Sequence, residues 1–181
     1  MNLAGLRESL RGAGNAERAG LFSCSGCVGW CCREGFNAMR ATPAEAGAIL
    51  DLLEARGEAA EALEACAAAV ERWRLDADPA VQRTYTCPFL TAGNLCSVHA
   101  AKPLGCVTFT PVRDGGCDQD GERLAAAVAD LEGEDLPLPL AVLAIASSRG
   151  VVPNPTRADG VSGGFSARGS RSRRPPGRTA E

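Results

Sequence analysis

Two consecutive stretches near the middle of the chain carry the spacing of apolar residues that is typical of helices. The first opens with Thr-Pro-Ala-Glu at 42–45, which combines an N-cap, a proline in the first turn and a glutamate three residues after the cap. Apolar side chains are concentrated at 49–53, and Gly57 is a suitable terminator. The pattern therefore predicts a helix that begins at Thr42-Pro43 and ends at about Arg56.

The second stretch, residues 58–73, predicts another helix with one apolar face. The apolar positions fall three or four residues apart, so they share that face and are expected to pack against the core. These positions are Leu63, Cys66, Val70 and Trp73.

Three weaker patterns complete the predicted helices. Residues 3–10 indicate a short amphipathic helix that ends at the glycine pair Gly12 and Gly14. Residues 122–131 and 139–147 indicate two further short helices. From 151 onward the sequence is rich in Gly, Ser, Pro and Arg, a composition that buries too little apolar surface to offset its conformational entropy. We expect this tail to be disordered.

The fold class predicted from these patterns is mainly α, with irregular cysteine-rich loops. Its domain organisation is a helical leader over 1–20, a single small domain over 21–150 and the tail over 151–181. A chain of 181 residues with 45% hydrophobic composition can bury one core of useful size, which agrees with one domain.

Charge and hydropathy exclude several classes of partner. The formal net charge of −3 gives no overall preference for nucleic acid or anionic lipid. The tail is rich in arginine, but it lacks interleaved aromatic residues beyond Phe165 and any recognisable binding motif, so nucleic-acid binding is not expected. The longest apolar stretch, 136–146, contains two prolines and is about half the ~20 residues of a membrane span. No export signal is visible at the start, and we expect a soluble cytoplasmic protein without membrane contact.

Nine cysteines in a reducing compartment indicate metal binding or redox chemistry rather than a disulfide framework. The first block contains Cys24, Cys27, Cys31 and Cys32 in a glycine-containing loop, the geometry of a metal knuckle. Adjacent side chains in extended backbone point apart. One member of the Cys31 and Cys32 pair is thus expected to bind metal while the other packs, or the two serve different metals.

The second block has no knuckle, so the fold must gather its thiols. It contains Cys87, Cys96, Cys106 and Cys117, separated by eight, nine and ten residues. Eight thiols in two blocks match two sites of four cysteines, or one multinuclear cluster with structural cysteines left over. Ligands of this softness favour zinc, iron or an iron-sulfur cluster over magnesium and calcium.

Other side chains near the cysteines leave alternatives open. His99 follows Cys96 at the spacing of a site with three cysteines and one histidine, or it is an ordinary half-buried histidine. Lys102 and Arg33 either stabilise thiolate charge or are solvated surface cations. Cys66 lies on an apolar helix face, and we interpret it as a core residue.

The order of these motifs resembles the YkgJ-type cysteine-cluster family. The resemblance rests on CSGCVGWCC at 24–32, TPAE at 42–45, CPFL at 87–90 and KPLGCVTF at 102–109, and it covers roughly 22–117. That family is described as a zinc- or iron-chelating domain. The resemblance implies a metal cluster formed by the eight cysteines, with Cys117 its least typical member. This chain departs from the family signature in two ways. Three residues rather than two separate Cys27 from Cys31. Lys102 stands where the family usually has arginine, and His99 stands where it usually has tyrosine.

Three functions agree with the sequence. The first is a zinc- or iron-binding protein whose loops are held together by the metal. The second is an iron-dependent enzyme or an accessory factor in modification of a protein partner, since distant relatives of the resembled family include flagellin lysine N-methylases. The third is a thiol redox sensor. A single histidine and the absence of phosphate- or dinucleotide-binding motifs leave the catalytic residues unassigned and the question of enzyme activity open.

Overall fold

A computed structural model describes residues 2–17, 29–113, 116–119, 122, 124, 125, 129, 131 and 133–151. Its α-helices are α1 (Leu3–Glu17), α2 (Pro43–Arg56), α3 (Ala59–Trp73), α4 (Leu104–Val107) and α5 (Leu138–Ser148). Its strands are β1 (Arg40–Ala41), β2 (Phe109–Arg113), β3 (Gly116–Gln119) and β4 (Leu136–Pro137). Single 3-10 turns cover Trp30–Cys32 and His99–Ala101. The described part of the chain is a mainly helical small domain, as predicted.

Helix α2 begins and ends where the sequence predicts. The Thr42 hydroxyl accepts a hydrogen bond from the Glu45 amide, and the Glu45 carboxylate accepts one from the Thr42 amide at 2.8 Å, which completes a capping box. Gly57 ends the helix in the left-handed conformation, at φ 70°. Both signals are local, which explains why the sequence alone located this helix so closely.

The main core lies among α2, α3 and α5. Each helix turns one apolar side inward, and α5 packs against both of the others. The central buried side chains are Ile49, Leu50 and Leu53 of α2, Leu63, Cys66 and Val70 of α3, and Leu138, Ala141 and Val142 of α5. The predicted apolar face of α3 is therefore confirmed, and Cys66 is a core residue with no exposed surface.

The expected end of α1 is wrong. The helix continues through Gly12 and Gly14 to Glu17. Leu6 and Leu10 are buried against Leu104 and Val107 in a second, smaller apolar cluster, which fixes the helix by tertiary contact. A glycine inside a helix costs about 1 kcal/mol relative to alanine, which weakens a helix without ending it.

Two short antiparallel pairings connect the helices. Strand β1 pairs with β4, with Arg40 opposite Pro137, and β2 pairs with β3 in a hairpin that is irregular between Pro111 and Arg113. The predicted helix over 122–131 lies largely outside the described residues, as does the tail over 152–181. Among the helices that the structure does describe, none combines the length and the hydrophobicity needed to cross a membrane.

The two glycines Gly12 and Gly57 should respond to alanine in opposite directions. A Cβ added at either position would have no atom from elsewhere in the fold within 4 Å. The backbone of Gly12 is helical, whereas that of Gly57 is left-handed. Gly12→Ala should raise the free energy of unfolding by up to about 1 kcal/mol, and Gly57→Ala should lower it by about 1 kcal/mol. Urea unfolding of both variants with identical metal loading measures this. Destabilisation by Gly12→Ala would contradict the continuous helix α1.

Candidate metal centre

The adjacent cysteines of the first block lie side by side. Gly29, at φ 74°, starts the 3-10 turn at Trp30–Cys32, and this turn brings the Cys31 and Cys32 Sγ atoms to 4.0 Å from one another. A Cβ at position 29 would lie 2.9 Å from a Leu90 methyl carbon, which would have to shift, and the left-handed backbone itself favours glycine there. The expectation that the two side chains point apart assumed extended backbone and does not hold for this turn.

Main-chain hydrogen bonds bring the second block to the first. The Cys87 amide donates to the Cys32 carbonyl at 2.7 Å. The chain then reverses, because Leu90 forms an antiparallel bridge with Cys96 and the Ser97 amide donates to the Phe89 carbonyl at 2.9 Å. This reversal returns Cys96 to the side of Cys87.

The third contribution is Cys106, on the four-residue helix α4. Burial raises the pKa of the Cys106 thiol well above its usual value, and the negative charges that Cys32 and Cys96 would carry raise it further. The Lys102 ammonium opposes this effect. Cys32, Cys96 and Cys106 all pack against the main core cluster, to which Cys87 belongs, so these side chains share one region.

The thiols of the first block belong to the same region. The hydrogen bond shared with Cys32 raises the pKa of Cys31, and burial adds to this shift. At Cys32 that bond lowers the pKa, but the bond with Cys87, together with burial, outweighs it and raises the pKa to about 12. Burial also raises the pKa of Cys96, whereas Lys102 lowers it. Burial thus favours the protonated form of Cys31, Cys32 and Cys96.

Five of the eight cysteines expected to bind metal are brought together, namely Cys31, Cys32, Cys87, Cys96 and Cys106. Cys24 and Cys27 lie outside the described residues. The backbone of Cys117 is described on β3, which lies beside the Trp30–Cys32 turn, but its side chain is not. Within the described residues, no group of three or more His, Cys, Asp or Glu side chains is arranged so that it could bind one metal ion.

The other side chains singled out from the sequence have distinct environments. The side chain of His99 lies at the surface. Desolvation of its less exposed part lowers its pKa, and the positive charges of Lys102 and Arg11 lower it further. Lys102 lowers the pKa of Cys31, Cys96 and Cys106, in agreement with a cation beside the thiols. The Arg33 guanidinium donates a hydrogen bond to the side-chain oxygen of Asn94 at 2.6 Å.

The donor set fits zinc or iron. Two sulfurs bound to one tetrahedral zinc ion at about 2.3 Å lie about 3.8 Å apart, close to the separation of Cys31 and Cys32. Several half-buried or buried thiols in one region can lose their protons only if a cation compensates the resulting charge. Thiolate sulfur is a soft ligand, which suits zinc and iron.

Comparison with known families agrees with this chemistry. The family model CxxCxxCC, described as "Putative zinc- or iron-chelating domain", matches residues 23–127. The chain belongs to the CxxCxxCC family. All eight cysteines of the two blocks fall within the matched range, whereas the tail lies beyond it. No curated protein and no solved structure matches the chain.

The sequence alone gives no indication that Arg7 and Glu45 lie near the cysteines. Glu45 fits a helix start, and Arg7 carries no local signal. Both are buried and contact the segment that precedes Cys106. These contacts join residues that are 59 or more positions apart in the sequence. Local sequence patterns do not predict contacts at such a separation.

Cys66 should make alkaline stability depend on pH. Burial raises its pKa from 9.0 to about 12, so its contribution is fully present below the unfolded pKa and is lost as pH rises toward the folded value. The difference in unfolding free energy between the wild type and Cys66→Ala should change by about 2 kcal/mol between about pH 8.5 and about pH 10.5. Urea unfolding at matched metal loading measures this. A constant difference would contradict the burial of this thiol.

Proposed function

We propose that the cysteine thiolates of the two blocks hold zinc or iron, and that the bound metal fastens the loops to the helical core. The proposal extends the chelating function of the family to named ligands: Cys24, Cys27, Cys31, Cys32, Cys87, Cys96, Cys106 and Cys117. The single observation that carries it is the convergence of five cysteines on one side of the main core, through the Cys31–Cys32 sulfur contact, the Cys87–Cys32 hydrogen bond and the packing of Cys96 and Cys106 against the same core cluster.

The number of ligands suggests more than one metal ion. A tetrahedral zinc site takes four thiolates, and five described cysteines already share one region. The three remaining cysteines would bring the total to eight, enough for two four-cysteine sites. An iron-sulfur cluster held by four of the thiolates is the alternative form of the same centre.

The fold supports a structural role for the metal. Among the described residues, the cysteines of the two blocks lie on the Trp30–Cys32 3-10 turn, near the isolated bridge between Leu90 and Cys96, on the short helix α4 and on strand β3. The regular helix packing is concentrated among α2, α3 and α5. Free energy of metal binding then adds to the free energy of folding for the loops. Removal of the metal should release the loops and leave the three-helix core largely helical.

Metal removal and cysteine substitution test this proposal. Protein purified anaerobically should contain zinc or iron, and a chelator with a reductant should lower the melting temperature by more than about 10 °C. Cys87→Ser and Cys106→Ala should reduce the bound metal measured by elemental analysis. Cys66→Ala is the matched control, because it removes a buried thiol outside the centre and should retain the full metal content.

The results also separate the forms of the centre. Visible absorption that bleaches with dithionite identifies an iron-sulfur cluster, and a colourless protein that contains zinc identifies zinc sites. Equal metal content in the wild type and in Cys87→Ser and Cys106→Ala would contradict the proposed ligands. Metal-free protein with reversible disulfides among the same cysteines would instead favour the redox sensor.

A further inference from the structure

We propose that Glu45, which the sequence presents only as part of a helix cap, is a positioning residue that sets the place of Cys106 in the metal centre. This inference rests on the proposed function, because it assigns Glu45 a role toward one of the proposed ligands.

The Glu45 carboxylate is buried and joins two distant parts of the chain. Only 2% of the residue is exposed. One oxygen, Oε2, accepts hydrogen bonds from the amide and the hydroxyl of Thr42, at 2.8 and 2.9 Å. The other, Oε1, accepts one from the Leu104 amide at 2.7 Å. The capping box occupies only Oε2, so the bond to Leu104 is an additional function of the same side chain.

Leu104 is the first residue of α4, and Cys106 follows two residues later. A helix of four residues has little stability of its own, so its position depends on what holds its start. The Cys106 amide is itself bonded to the Pro103 carbonyl at 2.9 Å. A shift of Leu104 relative to α2 would therefore carry Cys106 with it.

Arg7 holds the preceding residues from the other side. It is 7% exposed, and its guanidinium donates to the carbonyls of Ala101 at 2.7 Å and Lys102 at 3.0 Å. Burial lowers the pKa of Arg7, and the negative charge of Glu45 opposes this shift. The segment 101–104 thus lies between a buried acceptor on α2 and a buried donor on α1.

The geometry distinguishes a carboxylate from an amide at position 45. A glutamine offers one acceptor oxygen, whereas Glu45 uses two, so Glu45→Gln must turn its NH2 group toward the amide of either Thr42 or Leu104. Glu45→Asp keeps the charge and suits the first turn of a helix, but it is one methylene too short to span both partners. It provides a second variant that is compatible with the fold.

Cobalt(II) titration of the reduced metal-free protein tests the inference. The thiolate-to-cobalt charge-transfer intensity reports the number of thiolate ligands, and competition with a chelator reports affinity. Glu45→Gln and Glu45→Asp should each weaken cobalt affinity by about tenfold, as substitutions behind metal ligands do, and should lower the charge-transfer intensity per metal. Gly57→Ala is the control, because it weakens the opposite end of α2 and should leave both quantities within about twofold of wild type.

Combination with Cys106→Ala shows whether Glu45 acts through this ligand. Once Cys106 is absent, Glu45→Gln should cause no further loss of charge-transfer intensity. Wild-type intensity in both Glu45 variants, or equal losses in Gly57→Ala, would overturn the positioning role while the proposed function stands. A wild-type protein that gives no charge-transfer band would overturn the proposed function itself.

Discussion

Hydrogen bonds between residues 32–39 and residues 85–87 are the interaction on which the arrangement of the cysteines depends. The Tyr85 amide donates to the Asn37 carbonyl at 2.9 Å, and the Asn37 side chain donates to the Tyr85 carbonyl at 3.0 Å. The Cys87 amide then reaches the Cys32 carbonyl. Because Asn37 and Tyr85 are buried, loss of one partner would leave an unsatisfied polar group in the core. These hydrogen bonds join the segment after the first block to the start of the second block.

The same junction is anchored to the helical core through one carbonyl group. The Met39 carbonyl accepts hydrogen bonds from the Tyr85 hydroxyl and from the Leu138 amide at the start of α5. Tyr85 has no exposed surface, and its ring lies 6.5 Å from that of Trp73 at the end of α3. The core therefore places the cysteine loops, and metal in the centre would join loops that are already near one another.

The sequence predicted those features that depend on neighbouring residues. The ends of α2 follow from Thr42, Glu45 and Gly57, and the buried face of α3 follows from the spacing of its apolar residues. It did not predict the full length of α1, because the glycines at 12 and 14 weaken a helix without ending it. The side-by-side placement of Cys31 and Cys32 depends on a 3-10 turn that no local pattern indicated. The Glu45 contact with Leu104 depends on the whole fold.

The segment between Leu75 and Tyr85 has a consequence for recognising relatives of this protein. Both end residues are buried, whereas 76–84 runs largely exposed between them. Added residues in such a segment increase loop entropy only slowly and need not displace either end. Insertions within 76–84 would therefore lengthen the interval between Cys32 and Cys87 without moving either cysteine. Similarity searches would do better to weight the fixed anchors, Asn37 and the Tyr-x-Cys at 85–87, than the interval itself.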